Sequence, residues 1–408
     1  MRKTPTFLLF IFLSTSTAQM WSEDLISVQT NDNISEILEE EIPLEELSFI
    51  EDDIFTDEVD TQKIDVQNIA NDETDLSATN MQNEKQRLTV DFWVDDRSDI
   101  QKFSQTYLSS KWSSLLKKDL DTAINYRLYV RKKIQEQHLP SILEYLPVVE
   151  SNYKTTAKSS SGALGMWQFM SNSVKPFLML NDYVDERLDP WKSTDAALKK
   201  LTDNYNYFQD WLLAIAAYNC GTGALIKILQ KSPQKDYWYL VDNNLLPKQT
   251  ALYIPKLIAI ADIAENAEFY NIDISHRDEE FSTLINNENQ FFDSVTVSKA
   301  YSIPQLAREM QIKSEELKKL NPSFVKNFTH PSIKSEIRIP IGQKETAEKA
   351  LAKMEPIDFP FKYKVEKGDT LWGISRQFKV TVASLCELNG IEEKAILSIG
   401  KILYIPSK

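Results

Sequence analysis

Cysteine is almost missing from this 408-residue chain: the two present, Cys220 and Cys386, fall in segments that read as separate domains. A disulfide framework is therefore not expected, and both should be free, buried thiols. With no cysteine just behind the amino-terminal leader, a lipoprotein is excluded. The three histidines form no spaced cluster, so no metal site is implied, and no cofactor motif occurs. No stretch beyond the leader approaches the ~20 apolar residues of a membrane span. No basic patch interleaves with aromatics, which argues against nucleic acid as a partner.

The leader pairs Arg2 and Lys3 with an apolar run, Phe7 to Leu13, and ends in Ser16-Thr17-Ala18. It reads as a secretory signal peptide (1–18) cut after Ala18, placing the protein in the periplasm or cell envelope, with peripheral membrane association left open. The net charge of −14 is local. Residues 23 to 75 hold 19 Asp or Glu against one Lys, so that stretch carries −18 and the rest of the chain +4. Self-repulsion without sustained periodicity predicts a disordered acidic linker over 19–86.

Only nine glycines occur, and they cluster: Gly162 and Gly165, Gly221 and Gly223, then Gly368, Gly373, Gly390 and Gly400, with Gly342 alone in an expected linker. Between Leu88 and Tyr270 the chain otherwise reads as helices, such as Ile124 to Gln137 and Lys248 to Ala267. Beyond it a repeat of period 68 places Ile303, Leu306, Ala307, Leu317 and Asn321 opposite Leu371, Ile374, Ser375, Leu385 and Asn389. Two related modules, 293–340 and 361–406, are predicted.

In the second module, Phe361 to Val365 and Ile402 to Ile405 read as strands. They flank one helix capped by Asp369-Thr370 and another running from Thr381 to Asn389-Gly390. Tyr363 to Ser375, with Leu385-Cys-Glu-Leu-Asn-Gly390 and Leu403-Tyr-Ile-Pro406, resembles the LysM family. That resemblance implies a βααβ fold binding N-acetylglucosamine polymers between Gly368 to Leu371 (Gly368, Asp369, Thr370, Leu371) and the loop from Asn389 to Leu397. Thr370 fits a helix cap as well as a sugar contact. The earlier copy has Ala300 and Tyr301 where Gly368 and Asp369 stand, as in a degenerate module that keeps the fold and loses the sugar site.

In the helical segment, Leu139-Pro140 opens a helix with Ile142, Leu143 and Leu146 on its inner face. Pro147 lacks the donor its helical bond needs and is expected to kink or end it. Glu150 follows one turn later beside Leu146, Val148 and Val149. An apolar wall raises a carboxyl pKa and favours the protonated form of a general acid, although by spacing alone a solvated helix-end glutamate fits as well.

Glu150-Ser151-Asn152-Tyr153, Ser161-Gly-Ala-Leu-Gly-Met-Trp-Gln-Phe169, Ala216-Ala-Tyr-Asn-Cys-Gly221 and Tyr253-Ile-Pro-Lys256 resemble, in order and spacing, the four motifs of the family 1 (SLT-domain) lytic transglycosylases. With the LysM tail, the resemblance is to the membrane-bound murein transglycosylase D type. It implies an all-α, goose-type lysozyme-like catalytic domain over 87–275. It also implies cleavage of the MurNAc-GlcNAc β-1,4 bond of peptidoglycan strands, leaving 1,6-anhydroMurNAc, with Glu150 catalytic. The implied substrate contacts are Ser151, Ser161, Gly162, Gly165, Met166, Gln168, Tyr218, Asn219 and Tyr253, with Tyr253 also a partner for the Glu150 carboxyl. Gly162 and Gly165 would let the backbone approach the sugars; Trp167 fits core as well as wall, and Ser151 fits a helix cap as well as a contact. Hydrolysing glycosidases use two carboxylates. No second acid stands at an obvious position here, since Asp182, Asp185 and Asp189 read as helix caps. A hydrolytic muramidase on the same fold and a catalytically silent wall-binding scaffold are the other readings.

Overall fold

The computed structural model describes residues 87–276, 291–357 and 361–406. The expected leader and acidic linker lie outside the described residues. In the first of these segments, helices α1 (Ser98–Leu108), α2 (Ser110–Thr122) and α3 (Ile124–Glu136) lead into a 3₁₀ turn (Ser141–Tyr145) and the short α4 (Leu146–Ser151). After a loop come α5 (Pro190–Phe208), α6 (Trp211–Cys220), α7 (Thr222–Lys231), α8 (Tyr237–Asp242) and α9 (Lys248–Glu265). The core forms around α9, whose Ile254, Leu257, Ile258, Ile260 and Ile263 have no exposed surface. A helix apolar on every side has to be surrounded, and α1 and α6 pack against it.

Pro147 does not kink a helix; it begins one. The chain is 3₁₀ up to Tyr145, and Pro147 lies in the first turn of α4, where its missing N–H has no intrahelical acceptor to satisfy. Asp185 and Asp189 are caps, as their positions predict: Asp185 accepts from Arg187 N, and Asp189 Oδ1 from Trp191 N and Lys192 N at the start of α5.

The two later segments repeat one plan. Strands β1 (Asp293–Val297) and β2 (Ser335–Ile339) pair antiparallel, Asp293 opposite Ile339, around α10 (Ile303–Glu309) and α11 (Ser314–Leu320). Strands β3 (Phe361–Lys364) and β4 (Ile402–Ile405) pair in the same way around α13 (Leu371–Phe378) and α14 (Val382–Asn389). Between them α12 (Lys344–Lys353) packs Ala347, Ala350 and Met354 onto the first module's core, so that unit extends past residue 340 and Gly342 sits inside it. The spacing of those three residues carries the helical signal.

The asparagine ending each repeat has one role twice. Asn321 Nδ2 donates to Leu317 O and Arg338 O while its Oδ1 accepts from Arg338 N. Asn389 makes the same three bonds to Leu385 O, Tyr404 O and Tyr404 N. Each ties the second helix of its module to the last strand.

The next residue outward in each module grips the helical domain. Arg338 forms a buried ion pair with Asp189, the cap of α5, and its guanidinium lies 5.0 Å from the Trp191 ring centroid. Tyr404 packs on Tyr183, with centroids 5.3 Å apart. Asp185 N donates to Ser323 O (2.9 Å) and Val325 N to Tyr183 O (3.1 Å), so the backbone of the 183–185 segment joins the first module, and Val184 is part of that module's core.

Removing one partner of a buried pair leaves an uncompensated charge, at a cost of about 3–5 kcal/mol. Arg338→Met should lower the urea midpoint accordingly, and Asp189→Asn added to it should recover most of the loss. Equal midpoints for wild type and Arg338→Met would show that the pair contributes nothing.

Candidate active site

Glu150 is placed by bonds made on either side of it. Six residues earlier, the buried Glu144 binds Arg127 Nε (3.0 Å) and Arg131 Nε (2.8 Å), fixing the 3₁₀ turn to α3. Burial alone would push the Glu144 carboxyl up; the two guanidinium groups more than offset it and leave the group below its ordinary value. Tyr145 Oη donates to Glu265 on α9 (2.6 Å), and Tyr153 Oη to the Glu144 carbonyl. Ser151 Oγ donates to Met166 O (2.7 Å), which joins α4 to the glycine-containing loop. That bond, rather than a free hydroxyl, is where the structure places Ser151.

The Glu150 side chain is half-buried, and Tyr253 of α9 donates its hydroxyl to Oε1. Burial raises the carboxyl to about 7; the Tyr253 bond and the ammonium groups of Lys200 and Lys256 pull the other way without cancelling it. Both of these charges are positive. A group in this state holds a proton near neutrality, can give it up, and can take one back.

The loop 157–169 forms one side of the site. Gly165 has φ +85°, and a Cβ there would lie 1.8 Å from Arg187 O. The close approach expected at Gly165 is thus made by Arg187, not by a sugar. Arg187 Nη1 also reaches Gly162 O and Phe169 O, both at 3.4 Å, and its guanidinium is held by Asp185 at 2.8 Å. Met166 and Trp167 are buried, and Trp167 Nε1 donates to Thr194 Oγ1, so both are core. Gln168 uses its amide donors on Ala157 O and Gly165 O. Tyr218 Oη donates to Trp167 O (2.9 Å), and Asn219 Oδ1 accepts from Thr250 Oγ1 (2.9 Å); neither is bonded to Glu150. Ser161 is exposed, and at Gly162 an added Cβ would meet nothing within 4 Å. Those two lie open on the loop.

In the last module, Thr370 caps α13 through Gly373 N (3.0 Å), and Asp369 accepts from Tyr363 Oη (2.8 Å) and Glu366 N. Leu371 and Asn389 are buried, and the Asn389 amide is committed inside the module, which corrects its assignment as a sugar contact. Gly368, at φ +95°, has open space beside it. The sequence reading missed the exposed apolar side chains of this module: Trp372, Ile396 and Ile399 are 64%, 95% and 69% exposed. In the first module the matching loops are bonded to each other: Ile303 N to Asn327 O (2.9 Å), Thr329 N to Tyr301 O (3.1 Å) and Tyr301 N to Thr329 Oγ1 (2.9 Å). Ala300 and Phe328 are sealed there under Leu388 and Tyr404. Among the described residues, no group of His, Cys, Asp and Glu could hold a metal ion. Cys220 and Cys386 are free thiols; Cys386 is buried and Cys220 half-buried, its thiol raised by burial to about 11.

A helical domain that presents one partly desolvated carboxyl under a tyrosine hydroxyl, followed by two βααβ modules, has the architecture of a lysozyme-like domain with small appended modules. Family comparison agrees. Residues 128–241 match the Transglycosylase SLT domain, 363–406 the LysM domain, and 291–356 the LysM-like domain of lytic transglycosylase MltD. The chain thus carries, in order, regions similar to an SLT domain, an MltD-type LysM-like domain and a LysM domain. It is 26% identical over 315 residues to membrane-bound lytic murein transglycosylase D of Escherichia coli K12, covering 72% of this chain and 66% of that protein. The same protein of E. coli O6:H1 aligns with the same identity and coverage.

Because its pKa is raised, Glu150 contributes stability that is complete below its ordinary value of 4.5 and is lost as pH rises through about 7. Glu150→Gln stays neutral throughout. Its stability advantage over wild type should therefore grow by roughly 1–2 kcal/mol between about pH 5 and pH 8, a figure reduced for the solvent that reaches a half-buried group. Thermal melts at both pH values check this, and parallel curves would mean that the carboxyl is not desolvated.

Proposed function

We propose that the protein is an exported peptidoglycan lytic transglycosylase of the periplasm or cell envelope, cutting the MurNAc-GlcNAc β-1,4 bond with Glu150 as its single acid and base. The observation that carries this reading is the half-buried Glu150 carboxyl accepting the Tyr253 hydroxyl, with burial raising its hold on a proton. Glu150 gives its proton to the glycosidic oxygen as the C1–O bond breaks and the bonding pair leaves with that oxygen. The C6 hydroxyl oxygen of the same MurNAc then bonds to C1, and its proton returns to Glu150. No water enters, so the one carboxyl suffices where a hydrolase would use a second to activate water. Attack from within the same sugar also avoids the entropic cost of capturing a separate nucleophile. Ser161 and Gly162, open on the loop, are the contacts best placed for the strand. The C-terminal module holds the wall at Gly368 to Thr370, with Trp372 and Ile396 as apolar surface for the sugar rings.

Glu150→Gln should lower cleavage of purified peptidoglycan by ~10²–10⁴, the usual contribution of a general acid. Wild-type products should be non-reducing and lighter than hydrolysis products by about 18 mass units, the mass of the water not added. Digestion in ¹⁸O water that yields mostly labelled, borohydride-reducible ends would identify a muramidase instead, and a fully active Glu150→Gln would remove Glu150 from the chemistry.

Deleting residues 361–408 should weaken co-sedimentation with insoluble sacculi, because the loops of the remaining module are bonded shut and only the helical domain's own strand contacts are left. Turnover of short soluble chains should stay within about twofold, as for a module that raises local concentration. Undiminished sacculus binding after the deletion would show that the C-terminal module is not the wall anchor.

A further inference from the structure

Helix α5 carries three lysines, Lys192, Lys199 and Lys200, and they differ in their surroundings. Lys192 pairs with Glu186 (2.6 Å) and Lys199 with Asp203. Lys200 forms no ion pair or hydrogen bond among the described residues, although it is half-buried. Its Nζ lies 5.1 Å from the ring centroid of Tyr218 and 5.6 Å from that of Phe169. Those rings meet edge to face, 6.2 Å apart, and Tyr218 is tied to Trp167 O, so they form a fixed seat. A cation over aromatic faces is held without a counter-ion of its own. Burial holds its affinity for a proton below the ordinary value, and the charge of Glu150 acts in the opposite sense.

We propose that Lys200 is a positioning residue for the reaction, its ammonium seated on Phe169 and Tyr218 so as to balance the carboxylate that Glu150 becomes once its proton has moved to the leaving oxygen. This rests on Glu150 being the acid, as proposed above. Glu150 is faced by Tyr253 and Lys256 from α9, Tyr218 from α6 and Lys200 from α5. Tyr253 can donate to the carboxylate as well as to the acid, and Lys200 supplies the opposing charge. Without that charge the proton transfer leaves a less stable anion, and the acid holds its proton to higher pH. Lys200 touches no sugar in this arrangement, so its loss should fall on kcat and leave KM nearly unchanged.

The test compares wild type, Lys200→Met and Lys200→Arg on a soluble GlcNAc-MurNAc oligomer across pH, together with ¹³C NMR titration of the Glu150 carboxyl, assigned by difference against Glu150→Gln. In Lys200→Met the alkaline limb of the rate profile and the carboxyl titration should both move to higher pH by about one unit, with kcat lowered about tenfold. Lys200→Arg keeps the charge and should restore both. A carboxyl titration in Lys200→Met that coincides with wild type overturns the proposal, whatever happens to the rate. Full cleavage by Glu150→Gln would overturn the role of Glu150 instead, and the NMR titration, which needs no turnover, keeps the two failures distinct.

Discussion

The structure depends on keeping one carboxyl group partly out of water without leaving it unpartnered. A glutamate that is fully solvated is ionised at neutrality, and one that is fully buried without a hydrogen bond does not give up its proton. Glu150 is held between these limits by burial on one side and by Tyr253, Lys200 and Lys256 on the other. Each of those groups comes from a helix other than α4, so the balance exists only when α4, α5 and α9 are in register. The state of this one carboxyl is therefore set by the packing of the whole helical domain, rather than by a cluster of acids along one segment.

That register is enforced by groups that do no chemistry. Glu144 is as buried as a carboxylate can be, yet two guanidinium groups keep it ionised; Glu150, close by in sequence, lacks such partners and stays protonated to about 7. Two glutamates on one short stretch thus take opposite states because their counter-ions differ. On the far side, Arg187 carries the restraint onward: its carbonyl fills the space beside Gly165, and its guanidinium spans Gly162 O and Phe169 O. The segment holding Arg187 is itself bonded to Ser323 and Val325 of the first module. The loop that borders Glu150 is in this way continuous, through backbone hydrogen bonds and one buried ion pair, with the first module, which is similar to the LysM-like domain.

Much of this was legible from the residues. The helical domain, the repeat of period 68, the caps at Asp185 and Asp189, and the pairing of Tyr253 with Glu150 follow from spacing, turn chemistry and the motif resemblance. What was not legible came from contacts distant in sequence. Gly165 signals a close approach but not what approaches, and only the fold brings Arg187 there. Asn219 and Gln168 look like free amides until Thr250 and the loop carbonyls are seen to occupy them. Lys200 carries no local signal, since a lysine on an amphipathic helix resembles Lys199 one residue earlier. Pro147 was misread because a proline inside a presumed helix and a proline in the first turn of a new one differ only in where the preceding turn is 3₁₀.

The two modules illustrate how one fold is divided between two tasks. Asn321 and Asn389 make the same three bonds, so the asparagine maintains the fold and is compatible with either task. The difference lies at neighbouring positions. Where the last module has Gly368 with open space, the first has Ala300 buried under Phe328, and its loops bond across the place where a groove would be. Its last strand presents Arg338 to Asp189, and the matching residue of the other module, Tyr404, presents an aromatic ring to Tyr183 of the same helical-domain segment. A module that closes its own groove loses a ligand surface but gains a rigid backbone on which a neighbouring domain can rest. Here that neighbour is the segment holding Arg187, so the first module, whose loops are bonded to each other, also supports one wall of the site in the helical domain.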